Sequence, residues 1–225
     1  MLKAKKKFSK KELKEDQFIM ATIQAKSFVE KNASKIAGGV VAIIAILVLG
    51  YFWTQSKKNA EETATTMLTQ AQFELQNNQR DVAIATYTSI MDEYSGTNGA
   101  ALATFQLAKL YWSDNNLELA KSYFKSFLDD YGDNTILLQA GHAGYADCML
   151  AEKNYDEAAS HYEKAAGISP EFPQAVAYLY SAAQAYKEAG NTGKARSLAE
   201  RVVAQSEDNQ QIKNRAEVLL KSLAM

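Results

Sequence analysis

Four alanines, Ala83, Ala120, Ala158 and Ala195, stand 37, 38 and 37 residues apart, and this spacing constrains the fold more than any other feature of the chain. Twelve residues before each stands another alanine: Ala71, Ala108, Ala146 and Ala183. Four residues after come Tyr87, Phe124, Tyr162 and Ala199, and seven after come Ile90, Phe127, Ala165 and Val202. Steps of four and seven keep these residues on one helical face, and a small residue on each of two helices lets the pair close tightly. Polar turns (QNNQRD, SDNN, AEKN and EAGNTG) fall between the two members of each pair. Two prolines and 11 glycines in 225 residues leave too little turn chemistry for a many-stranded β fold. The expectation is an all-α chain of repeated helical hairpins.

The units resemble the tetratricopeptide repeat. Unit three carries Tyr145-Ala146, then Asn154-Tyr155-Asp156-Glu157-Ala158, Tyr162, Ala165 and Pro170. Unit two has Leu107-Ala108, Tyr111, Ala120, Phe124 and Phe127, and unit four has Ala183, Tyr186, Gly190 and Ala195. Unit one is degenerate, with Glu74 where the first helix usually places an aromatic. The period exceeds the usual 34, which implies longer helices or turns. Expected units are about 64–100, 101–138, 139–175 and 176–208. Residues 209–225, with Ile212, Ala216, Leu219, Leu220 and Leu223, read as a helix that caps the solenoid's open end.

Ahead of the repeats the chain changes character. Residues 36–53, IAGGVVAIIAILVLGYFW, contain no charge, and 18 residues at about 1.5 Å each span ~27 Å, close to a hydrocarbon core. Tyr51, Phe52 and Trp53 suit an interfacial aromatic belt. The run reads as one transmembrane helix. A cleaved signal peptide would have a shorter apolar region and a small-residue cleavage site where these aromatics stand. Ten lysines against four acids make residues 1–35 a basic arm of +6, and 15 basic against 22 acidic residues make 54–225 an acidic domain of −7. The positive flank should stay cytoplasmic, sending the repeats to the exterior side of the membrane. Within the arm, Ser9 and Glu12 form a capping-box pattern, and Leu13, Met20, Ile23 and Phe28 recur at loosely helical spacing. The arm is read as a topogenic segment, with a helix lying on the anionic leaflet or touching a partner such as RNA as the alternative. Gly38 and Ala42 make a small-xxx-small pair within the span.

No catalytic centre, metal site or cofactor is expected. The lone Cys148 excludes an intrachain disulfide and a multi-thiolate metal site. His142 and His161 fall on different helices of unit three, with Cys148 off the helical face of His142, so no convergence is expected. Gly190-Asn191-Thr192-Gly193 lacks the strand-loop-helix context of a phosphate-binding loop. The overall net charge of −1 predicts no nucleic acid as a partner.

The architecture of arm, uncleaved anchor and repeats resembles the YfgM-like ancillary subunits of the bacterial Sec translocon. Short matches carry the resemblance: Glu15-Asp16-Gln17 before the span, Phe28-Val29-Glu30-Lys31-Asn32 entering it, Tyr51-Phe52-Trp53 leaving it, and Gly99-Ala100-Ala101-Leu102-Ala103 opening the second unit. The chain departs from that family's pattern in its longer, lysine-rich arm and its better-formed repeats. The resemblance implies a single-pass bacterial inner-membrane protein with periplasmic repeats, a non-enzymatic interaction module beside the protein-conducting channel that touches emerging polypeptides or periplasmic chaperones. A scaffold for envelope assembly or division, independent of the translocon, is the alternative. Tetratricopeptide repeats bind on a concave surface lined by first helices. By position that surface would present Leu68 and Leu75; Phe105, Lys109 and Trp112; Asp147 and Leu150; and Tyr180, Gln184 and Lys187. Only Lys109 is basic in the first three units, so the carboxylate clamp of the co-chaperone repeats is not expected. An apolar segment or partner helix fits better. The degenerate first unit leaves self-association open.

Overall fold

The computed structural model describes residues 10–132, 135–206 and 209–224. Ser9, half of the expected capping box, lies outside them. The chain forms two compact units, Met1–Lys57 and Lys58–Met225. Within the described residues it is all α-helical: α1 (Lys10–Gln76), α2 (Arg80–Glu93), α3 (Asn98–Ser113), α4 (Leu117–Asp130), α5 (Thr135–Ala151), α6 (Tyr155–Ile168), α7 (Pro173–Glu188), α8 (Thr192–Gln205) and α9 (Gln210–Ser222).

In the first unit, α1 exposes its bulky apolar side chains, among them Val41, Ile46, Leu49 and Trp53. By length and composition it is the one helix among the described residues able to cross a membrane.

In the second unit, the end of α1 pairs with α2, α3 with α4, α5 with α6 and α7 with α8, and α9 packs on α8 and α7. The alanines that defined the period (71, 83, 108, 120, 146, 158, 183 and 195) are all fully buried, because only a methyl group fits where paired helices touch. Between the helices of the first three hairpins the chain reverses through Asn78, Asn115 and Lys153, each at positive φ, and in the fourth through Gly190. Asparagine tolerates this left-handed conformation better than most side chains. Asn116, Asn191 and Asn209 then accept from backbone N–H groups in the first turns of α4, α8 and α9.

Glycines set the closest approaches between hairpins. A Cβ on Gly99 would fall 2.5 Å from Cβ of Ala64, so its absence seats α3 against the end of α1. The Glu61 carboxylate accepts from the Asn98 and Gly99 N–H groups at 2.8 and 3.1 Å, placing negative charge at the N-terminus of α3. Further along, a Cβ on Gly141 or Gly144 would fall 2.7 Å from the Phe127 ring or 2.3 Å from the Phe124 ring. At the opposite end of α3, Arg80 Nη2 donates to the Leu110 carbonyl at 2.6 Å and to Asp114 Oδ2 at 2.5 Å, joining α2 to the C-terminus of α3.

Candidate partner-binding surface

Corresponding positions of successive first helices form rows across neighbouring hairpins. One row is Leu75, Trp112, Leu150 and Lys187, spaced by 37, 38 and 37 residues. Trp112 and Leu150 are each 38% exposed, while Leu75 and Lys187 are half-buried. Large apolar side chains at this exposure, repeated in register on adjacent hairpins, are the kind of surface that interfaces favour, tryptophan above all. Lys109 and Gln184, one turn earlier on their helices, are exposed, and Lys109 Nζ lies 5.8 Å from the centre of the Phe105 ring.

Leu68 and Phe105 depart from the expectation that they line this surface. They are 6% and 9% exposed and belong to the core. Gly141 and Gly144 draw α5 onto α4, and Phe105 fills the resulting space, with ring centres 5.9 Å from Phe124 and 5.5 Å from Phe127. Leu68 packs with Ala64, Ala71, Tyr87 and Leu107. Tyr180, at the corresponding position in the fourth hairpin, is half-buried. Asp147 is half-buried too and accepts a hydrogen bond from the Tyr162 hydroxyl. Burial pushes its carboxyl pKa up while that hydrogen bond pulls it down, the net being upward.

Glu74, which marked the first unit as degenerate, is buried rather than surface-lining. It accepts from Gln70 Nε2 at 2.9 Å and Thr86 Oγ1 at 2.8 Å, so its hydrogen bonds replace the packing of an aromatic ring. The neighbouring Tyr87 hydroxyl is buried without a hydrogen-bond partner among the described residues. Burial and the Glu74 charge both raise its pKa.

The expectation that His142 and His161 stay apart is wrong. Their Nδ1 atoms lie 3.1 Å apart. His142 is four residues before Ala146 and His161 three after Ala158. In an antiparallel hairpin, matched steps back and forward from a facing pair land opposite each other, so the sequence did contain this signal. Burial first holds both imidazoles neutral with pKa values down at about 4; the positive charge of Lys164 comes next for His161, while for His142 the His161 ring comes next and Lys164 after it. Cys148 is fully buried, and burial pushes its thiol up to about 12, far from a reactive thiolate. Among the described residues, no three His, Cys, Asp or Glu side chains cluster as a metal site.

The family model of a tetratricopeptide repeat-like domain matches residues 26–224. The chain belongs to this family. Solved structures agree at the level of the fold. One is a Podosopora anserina chain assigned as a kinesin light chain with nearly identical TPR-like repeats; it superposes with a TM-score of 0.57 at 17% identity, covering 72% of this chain and 86% of that one. The apo form of RapI gives the same TM-score at 14% identity, covering 72% of this chain and 62% of that one. Comparison with curated proteins gives no match. Repeat folds of this type typically serve as non-enzymatic scaffolds for protein partners.

Proposed function

We propose that this tetratricopeptide-like protein is a membrane-anchored interaction module whose row of Leu75, Trp112 and Leu150 holds an apolar polypeptide segment or partner helix. The observation that carries the reading is the in-register exposure of Trp112 and Leu150 on adjacent hairpins. An apolar ligand strand or helix meets such side chains at successive contact points, and their burial supplies affinity at roughly 25 cal/mol per Å².

Residues 36–53 anchor the protein in a bacterial inner membrane, residues 1–35 remain cytoplasmic, and the repeats face the periplasm. The exposed apolar face of α1 and the lysine-rich flank support this topology. The resemblance to YfgM-like subunits supports a position beside the Sec channel, where emerging polypeptides and periplasmic chaperones expose apolar segments.

Chemical crosslinking in cells followed by detergent solubilisation tests the assignment. The channel subunits co-purify with the protein if it is correct. Their clean absence, with other envelope proteins recovered instead, would favour an envelope scaffold over a translocon subunit.

A further inference from the structure

We propose that His142 and His161 form a two-histidine site for a divalent transition cation of the zinc class, which clips α5 to α6 in the third hairpin. Two imidazole nitrogens bound side by side on a tetrahedral zinc, at about 2.05 Å each, lie about 3.3 Å apart with ring centres about 5.2 Å apart. Here the nitrogens are 3.1 Å apart and the ring centres 5.1 Å apart. The pair stands at hydrogen-bond distance, and both separations lie within about 0.2 Å of the zinc arrangement, so a small tilt of the rings lets one cation meet both nitrogens.

The surroundings select the class of ion. Imidazole nitrogens suit zinc, copper and nickel, whereas magnesium and calcium require oxygen ligands. Both rings are neutral near pH 7, as ligation demands, so metal entry needs only that the proton shared between the Nδ1 atoms be carried on Nε2 instead, with no net proton release. The Tyr145 ring lies 4.6 Å from the His161 ring centre, tilted by 40°, and its hydroxyl donates to Glu157 Oε1 at 3.3 Å, bounding the His161 ring on one side. Glu157, one turn before His161, also accepts from Asn154 Nδ2 at 2.7 Å, which holds its carboxylate in that network. Water fills the remaining coordination positions. Lys164 is the opposing charge; it is exposed, so solvent and salt screen it.

Thermal unfolding of the full-length protein in detergent near pH 7, with zinc chloride or magnesium chloride added, tests the site. Zinc raises the unfolding temperature of the wild-type protein to a plateau and magnesium does not. His142→Gln and His161→Gln each abolish the zinc response. Cobalt(II) added to the wild-type protein gives the intense visible bands of tetrahedral coordination, a readout independent of whether either variant folds. No zinc shift in the wild type, an equal shift in a folded His161→Gln variant, or a cobalt spectrum indistinguishable from the aquo ion would each overturn the proposal.

Discussion

Gly144→Ala isolates the close contact that draws α5 onto α4. The new methyl group would sit 2.3 Å from Cζ of Phe124 and 2.5 and 2.8 Å from its Cε atoms. Phe124 is buried and packs edge-on against Phe105, so its ring has no free direction in which to swing. Overpacking of this kind costs about 1–3 kcal/mol. Replacing a helix-interior glycine by alanine returns about 1 kcal/mol through the unfolded chain. With Phe124 held on both sides the upper part of that cost applies, leaving a net destabilisation of about 1–2 kcal/mol, or ~2–8 °C in Tm for a domain of this size. Gly193→Ala is the matched control, since nothing lies within 4 Å of a Cβ there, and it should be neutral or slightly stabilising. Urea unfolding followed by helical circular dichroism measures both. Phe124→Leu in the Gly144→Ala background should recover part of the loss, giving a favourable coupling energy in a double-mutant cycle. A Gly144→Ala protein as stable as wild type would refute the argument that this glycine is retained for the approach of the two hairpins.

Three further outcomes follow from the packing and the titrating groups. Because His142 and His161 are held down from 6.5 to about 4, the unfolded state binds more protons between those values. Their contribution to stability is complete above pH 6.5 and is lost as pH falls toward 4. The wild-type urea midpoint should therefore fall more steeply over that window than that of a His142→Gln/His161→Gln variant, and parallel profiles would contradict the shift. Arg80→Ala removes the donor that joins α2 to the end of α3; with the ion pair partly exposed, the expected loss is about 1 kcal/mol, read as a lower urea midpoint. Glu61→Ala uncovers the Asn98 and Gly99 N–H groups and should cost about 1 kcal/mol, with increased hydrogen exchange in the first turn of α3.

The sequence made the repeat legible because its decisive residues are alanines at helix–helix contacts, where volume alone restricts the choice. Ala71 and Ala83, or Ala146 and Ala158, could be paired before any coordinates existed. The surface was less legible. Repeat position placed Leu68 and Phe105 on it, yet whether such a side chain faces a ligand or a neighbouring hairpin depends on inter-hairpin spacing. That spacing is set by Gly99, Gly141 and Gly144, whose effect appears only when the facing methyl group or ring is known. The histidine pair was missed for a different reason. Helical periodicity orders residues along one helix at a time, whereas this contact follows from the antiparallel register between two of them. Glu74 shows the converse case: its departure from the repeat pattern was visible in sequence, but only its partners Gln70 and Thr86 explain how a carboxylate occupies a buried position.

The central claim is that the row through Trp112 and Leu150 holds a protein partner. A photoactivatable amino acid placed singly at Trp112, at Leu150, or at the exposed Ser122 on a second helix tests it in living cells. The account predicts discrete adducts with the same protein from positions 112 and 150 and none from 122. Adducts absent from both row positions, or equally abundant at Ser122, would contradict it.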